Sequence, residues 1–131
     1  MKSRDLEELS LRKRAQIVKL AEISQLNQQL GEAMRRQDEA SVQILLSMRA
    51  EPIQRLESLQ ESIHSLVLSL EEADAVRAEA LLSGAEPQSE EEALLHTQVL
   101  QFRRQLEAVL ETDRRLSLSL GGNRSFYKTF R

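Results

Sequence analysis

The two histidines, His64 and His96, are the side chains of this sequence best suited to acid–base catalysis or metal binding. They fall in different helical segments, and neither stands in a recognised metal-ligand motif. The chain has no cysteine, which excludes thiolate ligands and a cysteine nucleophile. Both histidines are therefore interpreted as helix-surface residues, and no metal site is predicted.

Carboxylates and serines offer no better catalytic pattern. Between residues 71 and 92 there are eight acidic side chains and one basic one, Arg77, but they lack the alternating ligands and turn glycine of a calcium-binding loop. The serines lack the G-x-S-x-G arrangement of a nucleophile elbow, and no glycine-rich loop is present to hold a phosphate. The sequence therefore predicts a binding protein that is not an enzyme and uses no cofactor.

The composition favours long helices in a single domain. The chain has 131 residues, a net charge of −3, 4 glycines, 2 prolines and 3% aromatic residues, which leaves little material for sheet turns. The mild charge provides no strong field for nucleic acid. The N-terminus lacks an apolar signal core, and no run approaches the roughly 18 apolar residues of a membrane span. A cytoplasmic protein without membrane insertion is expected.

Apolar residues at spacings of three, four and seven predict three helices. The first covers residues 5–36, and Asp38 is predicted to cap the second after a short turn. The second covers residues 39–82 with a kink near Pro52, where the apolar pattern keeps its phase. The third covers residues 90–120. The predicted architecture is all-α, an elongated antiparallel bundle of three long helices with coiled-coil-like packing.

The third predicted helix carries the main binding hypothesis. It begins at a capping box, Ser89 and Glu92, and only Asp113 interrupts its apolar seam. A buried carboxylate is costly unless paired, so either an arginine satisfies Asp113 or this end of the helix is not permanently buried. We favour the second interpretation, which leaves an apolar seam open to a partner. The seam residues are Val99, Phe102, Leu106, Val109, Leu116 and Leu120.

Residues 121–131, GGNRSFYKTFR, are predicted to be a flexible tail behind the helical domain. Phe126, Tyr127 and Phe130 are three of the four aromatic residues in the chain, and they are interleaved with cations. Such a segment could be a chain end without function or a nucleic-acid contact. Aromatic anchors beside cations are more typical of a docking peptide, so we predict docking on a protein and no binding to nucleic acid.

The first half of the chain has a polar helix, a short turn with an aspartate, and then leucines, an arginine and a further apolar heptad. The residues of this pattern are Asp38, Val42, Leu45, Leu46, Arg49, Ile53 and Leu56. In this layout the segment LNQQLGEAMRRQDEASVQILLSMRAEPIQRLESLQ resembles the helical hairpin of flagellar type III export chaperones, the FlgN-like and FliT-like families.

The resemblance implies an export chaperone that prevents aggregation or premature assembly of its client and delivers it to the export apparatus. In FlgN-like chaperones the C-terminal helical region binds a helical segment of a hook–filament junction protein, and a tyrosine near the C-terminus docks on the export gate. Tyr127 takes that second role by resemblance. The alternative is a structural coiled-coil protein that self-associates into a homo-oligomer through its helical seams.

Overall fold

The computed structural model describes residues 1–119, and these residues form four α-helices and no strand. Helix α1 spans Ser3–Arg35, α2 spans Glu39–Leu68, α3 spans Glu72–Leu82 and α4 spans Glu90–Ser119. The all-helical class predicted from the sequence is confirmed. Within the described part of the chain, no helix combines the length and the apolar character needed to cross a membrane.

The turn between α1 and α2 follows the capping prediction. The Asp38 carboxylate accepts hydrogen bonds from the backbone amide (3.1 Å) and the hydroxyl (2.6 Å) of Ser41. These bonds satisfy an amide that the first turn of α2 leaves free, and they hold the pKa of Asp38 below its usual value. Gln37 adopts a positive φ of 58°, so the chain reverses within three residues.

The predicted second helix is wrong as one continuous element, because a break at residues 69–71 separates α2 from α3. At the break the Ser69 hydroxyl donates to the carbonyl of Leu66 (2.6 Å), and such a bond competes with the helical pattern. A straight helix to Leu82 would run roughly 20 Å beyond the last residue of α2. The break instead folds α3 against the bundle, where Leu81 is buried.

Helix α2 remains unbroken through Pro52, in agreement with the sequence pattern. Proline lacks the amide that would bond the carbonyl of Met48. Its ring is buried, so the apolar area that it removes from water offsets part of the lost hydrogen bond. The kink near Pro52 stays a prediction.

The loop between α3 and α4 contains the predicted capping box in a changed form. The Ser89 hydroxyl accepts the backbone amide of Glu92 (3.1 Å), as predicted. The Glu92 carboxylate accepts the amide of Gln88 (2.9 Å) instead of that of Ser89, and it also accepts two hydrogen bonds from Arg77. The bonds from Arg77 lower the pKa of Glu92 and join α3 to the first turn of α4.

Gly84, just after α3, has a φ of +102°, and a Cβ atom there would lie 2.9 Å from Nη1 of Arg103. We expect Gly84→Ala to lower the free energy of unfolding by about 1–2 kcal/mol, because alanine is strained at this backbone conformation. Gly31→Ala is the matched control. Its Cβ would meet only ordinary contacts, and Gly31 lies inside α1, four residues before its end, so the variant should stabilise by about 0.5–1 kcal/mol. Urea denaturation measures both, and effects of the same sign would contradict the prediction.

Helix α1 lies between α2 and α4, and no Cα atom of α2 comes within 8 Å of one in α4. The hydrogen bonds between helices show their directions: Arg12–Ser62 and Gln16–Gln60 join α1 to α2, and Ser3–Glu91 and Ser10–Gln98 join α1 to α4. The residue numbers run in opposite senses in the first two pairs and rise together in the last two. Helix α2 is therefore antiparallel to α1, and α4 is parallel to it.

Three apolar clusters follow one another along the bundle, and buried polar side chains separate them. The first cluster contains Leu6, Leu9, Ile63, Val67, Ala78, Leu81, Leu95 and Val99. The second contains Leu20, Ile23, Leu56, Phe102, Val109 and Leu110, and the third contains Leu30, Ala33, Val42 and Leu116. Along α1, the buried residues Lys13 and Gln16 fall between the first two clusters, and Asn27 falls between the last two.

Candidate binding surfaces

Asp113 is buried and paired with an arginine, so the prediction that this end of α4 is not permanently buried is wrong. Its carboxylate accepts a hydrogen bond from Nη1 of Arg49 (2.9 Å), and the same nitrogen donates to the amide oxygen of Asn27 (2.9 Å). Arg49 is 4% exposed and Asp113 is 0% exposed. The alternative that an arginine satisfies Asp113 is correct, and that arginine comes from α2.

The predicted partner-binding seam of α4 is largely filled by the bundle itself. Four of its six residues are buried among the apolar clusters, and Leu106 is partly buried against the second cluster. The four buried residues are Val99, Phe102, Val109 and Leu116. The expectation that they form an open seam is wrong, because the other helices already supply their apolar neighbours.

The remaining predicted binding residues lie outside the described part of the chain. They are Leu120 and the tail aromatics Phe126, Tyr127 and Phe130. The docking role of the tail therefore rests on its residue types and on the family resemblance, and it stays a prediction.

The two histidines occupy separate places in the fold. His96 is partly buried, and its Nδ1 lies 3.0 Å from the carbonyl oxygen of Ala85 in the α3–α4 loop. His64 lies exposed on α2. Within residues 1–119, no group of three or more His, Cys, Asp or Glu side chains could hold a metal ion.

The polar layer between the first two clusters contains a buried cation, Lys13, which is 6% exposed. Its Nζ donates to Oε1 of Gln16 (2.9 Å) and lies 3.9 Å from the ring centroid of Phe102. Gln16 donates in turn to Gln60 (2.9 Å). Burial, followed by repulsion from Arg103, lowers the pKa of Lys13 to about 8.

This buried lysine should make the protein more stable at alkaline pH. Folding lowers the pKa of Lys13 from 10.5 to about 8, so between these values the unfolded chain binds more protons and the free energy of unfolding rises with pH. At about 1.4 kcal/mol per pKa unit, we expect a gain of about 1–3 kcal/mol relative to the Lys13→Met variant. Urea unfolding of both proteins across this pH range measures the difference between their free energies of unfolding. The titration of the other groups is common to both proteins and cancels in this difference. A difference that stays constant would exclude the effect.

A groove of about 900 Å³ runs along the surface between the parallel helices α1 and α4. Three of the apolar side chains that line it are exposed: Leu11 (59%), Val18 (52%) and Leu94 (58%). On α1 the lining extends from Ser3 to Val18, which is roughly 22 Å or four helical turns. The groove therefore matches an amphipathic helix in length and in the spacing of its apolar positions.

The charged residues that line the groove are mostly acidic. Glu7, Glu90 and Glu91 contribute carboxylates, and Arg14 is the one basic lining residue within the described chain. The Ser3 hydroxyl donates to Glu91 (2.8 Å), which ties α1 to α4 at the end where α4 begins. An apolar stripe beside carboxylates favours a partner that carries apolar residues flanked by lysine or arginine.

This groove is not among the sequence predictions, which placed the binding seam elsewhere on α4. The available signal is the pair Leu11 and Val18, seven residues apart and hence on one face of α1. Both lie outside the main apolar stripe of α1. Single apolar residues on a helix surface are common, so two of them indicate a groove only when the neighbouring helix is known.

Comparison of the chain with models of known protein families, with curated proteins and with solved structures gives no match. The fold and the surfaces therefore define the class of protein on their own. That class is an all-helical protein with a polar-layered core and an open apolar groove between two parallel helices.

Proposed function

We propose that the protein binds an amphipathic helix of a second protein in the α1–α4 groove. The observation that carries the proposal is the row of exposed apolar residues Leu11, Val18 and Leu94 along that groove. A partner helix laid between α1 and α4 would remove their side chains from water, which is favourable by about 25 cal/mol per Å² of apolar area. The acidic residues that line the groove favour partners that carry lysine or arginine beside their apolar residues.

The biological role that we propose is that of a cytoplasmic export chaperone. The resemblance of the α1–α2 hairpin to flagellar type III chaperones supports this role and suggests a client, a helical segment of a hook–filament junction protein or a similar secreted protein. Covering that segment would prevent its aggregation or premature assembly. The tail aromatics, Tyr127 in particular, would then dock on an export gate component during delivery.

Placing charges in the groove should weaken binding of the client. We expect the double variant Leu11→Asp, Leu94→Asp to raise the Kd for a helical segment of a hook–filament junction protein at least about tenfold, because the new carboxylates would be desolvated in the complex. Both positions are exposed, so the free energy of unfolding should change by no more than about 0.5 kcal/mol each. Isothermal titration calorimetry measures the affinity.

Ile44→Asp is the matched control, since Ile44 is equally exposed (60%) but lies on α2 outside the groove. The same loss of affinity in both proteins, or no binding by the wild type, would refute groove binding. A second copy of the chain could cover the same apolar groove, which would make the protein a homo-oligomer. Sedimentation equilibrium separates the two cases, because a homo-oligomer that the double variant dissociates would favour self-association.

Deletion of residues 121–131 should impair delivery and leave client capture intact.

A further inference from the structure

A second, smaller cavity lies beside Lys13 and shares no lining residue with the groove. Its volume is about 250 Å³, and α1, α2, α3 and α4 all contribute to its walls. The polar lining residues are Lys13, Gln60 and Arg103, and the apolar walls include Leu82 and Phe102. Ligand pockets usually measure about 300–1,000 Å³, so this cavity suits a small ligand.

The polar groups that line the cavity include two cations, each of which donates one hydrogen bond to the described residues. Lys13 donates one N–H to Gln16 and has two further protons on Nζ. The ring of Phe102 lies on one side of this ammonium group. Arg103 donates from Nη2 to the carbonyl of Ser83 (2.7 Å), its one hydrogen bond to the described residues. Its other N–H groups are therefore available to a ligand.

The lining contains no carboxylate to balance these two cations. Among the described residues Lys13 forms no ion pair with an acidic side chain, although a buried charge is costly unless it is paired and hydrogen-bonded. The pKa of Lys13, lowered by burial and by Arg103, reflects the same lack of compensation. A bound anion would supply the missing counter-charge.

We propose that this cavity binds a small organic anion, whose carboxylate or phosphate group is held by Lys13 and Arg103. Charge-assisted hydrogen bonds from an ammonium and a guanidinium are the strongest that a protein offers such groups. The ring of Phe102 and the side chain of Leu82 would contact the apolar body of the ligand. Gly84 lies beside this guanidinium, since a Cβ atom there would come within 2.9 Å of Nη1 of Arg103 and the arginine would have to shift.

The test is an NMR titration of the full-length protein with benzoate, acetate, phenyl phosphate and inorganic phosphate, at constant ionic strength set with sodium chloride. We expect saturable shifts at residues that line the cavity, and tighter binding of benzoate than of acetate. Lys13→Met and Arg103→Gln should each weaken binding about tenfold or more. Lys19→Met and Arg104→Gln are the matched controls, since they remove a lysine and an arginine of the same helices outside the cavity.

The four probes also identify the anionic group. Saturable binding of either carboxylates or phosphates that Lys13→Met abolishes supports the site and names its head group. Arg103 is exposed, so its variant keeps the test valid even if the buried Lys13 variant does not fold. The proposal is overturned if no probe saturates below about 20 mM, or if the variants and their controls bind equally. Groove variants such as Leu11→Asp should leave anion binding unchanged, which separates this site from helix binding.

Discussion

Arg49→Met is expected to lower the free energy of unfolding by about 3–5 kcal/mol. Methionine fills a similar volume, but it cannot donate to the Asp113 carboxylate, which is wholly removed from solvent. The amide oxygen of Asn27 loses the same donor. Removing one partner of a buried ion pair costs more than the pair contributes, because the remaining charge stays desolvated.

The double variant Arg49→Met, Asp113→Leu should recover most of that loss, since apolar residues of similar volume often replace a buried pair without cost. Arg55→Met is the control, because Arg55 is an exposed arginine on the same helix, and it should change stability by no more than about 0.5 kcal/mol. Urea unfolding followed by circular dichroism at 222 nm measures all three. A single variant that costs less than about 1 kcal/mol would show that solvent reaches the pair.

Leu81→Ala is expected to lower the free energy of unfolding by about 2–5 kcal/mol, the usual cost of a buried leucine truncated to alanine. Leu81 is 0% exposed and belongs to the first apolar cluster together with Leu9, Leu95 and Val99. Truncation removes apolar contacts and leaves a cavity that the packed helices close only in part. The prediction tests the docking of α3, because a continuous helix through residue 82 would carry Leu81 away from this cluster.

Val76→Ala provides the comparison, since Val76 lies on α3 but is 64% exposed. It should change stability by no more than about 0.5 kcal/mol. Amide hydrogen exchange gives a second measurement, and in Leu81→Ala the amides of α3 should lose protection before those of α1 and α2. Equal effects of the two substitutions would indicate that α3 does not pack as described.

The layer formed by Asn27, Arg49 and Asp113 connects α2 to α4, two helices that have no Cα atoms within 8 Å of each other. Arg49 on α2 donates hydrogen bonds to Asn27 on α1 and to Asp113 on α4. A polar group in an apolar seam fixes the register of packed helices, because a shifted register would bury it without a partner. We interpret the layer as the feature that aligns α4 with the α1–α2 hairpin, and the Arg49 variants test its contribution to stability.

Local features of the sequence were sufficient to predict most helix boundaries. Asp38 and Ser89 cap their helices through bonds to amides three residues away, so the signal and its effect lie within one turn. Apolar periodicity likewise depends on neighbours along the chain. The break at residues 69–71 was missed because the apolar pattern continues across it, and the packing of α3 against the bundle, which favours the shorter α2, cannot be read from the sequence.

By itself the sequence determined that residues 1–119 are helical, the ends of α1 to within two residues, and which faces carry apolar residues. Tertiary structure alone decided the state of Asp113, because its burial depends on Arg49, which is distant in the chain and close in space. It also decided that the predicted seam of α4 is core and that Leu11, Val18 and Leu94 border a groove. Burial is a property of assembled helices, since each face is covered or left open by residues that no local pattern can specify.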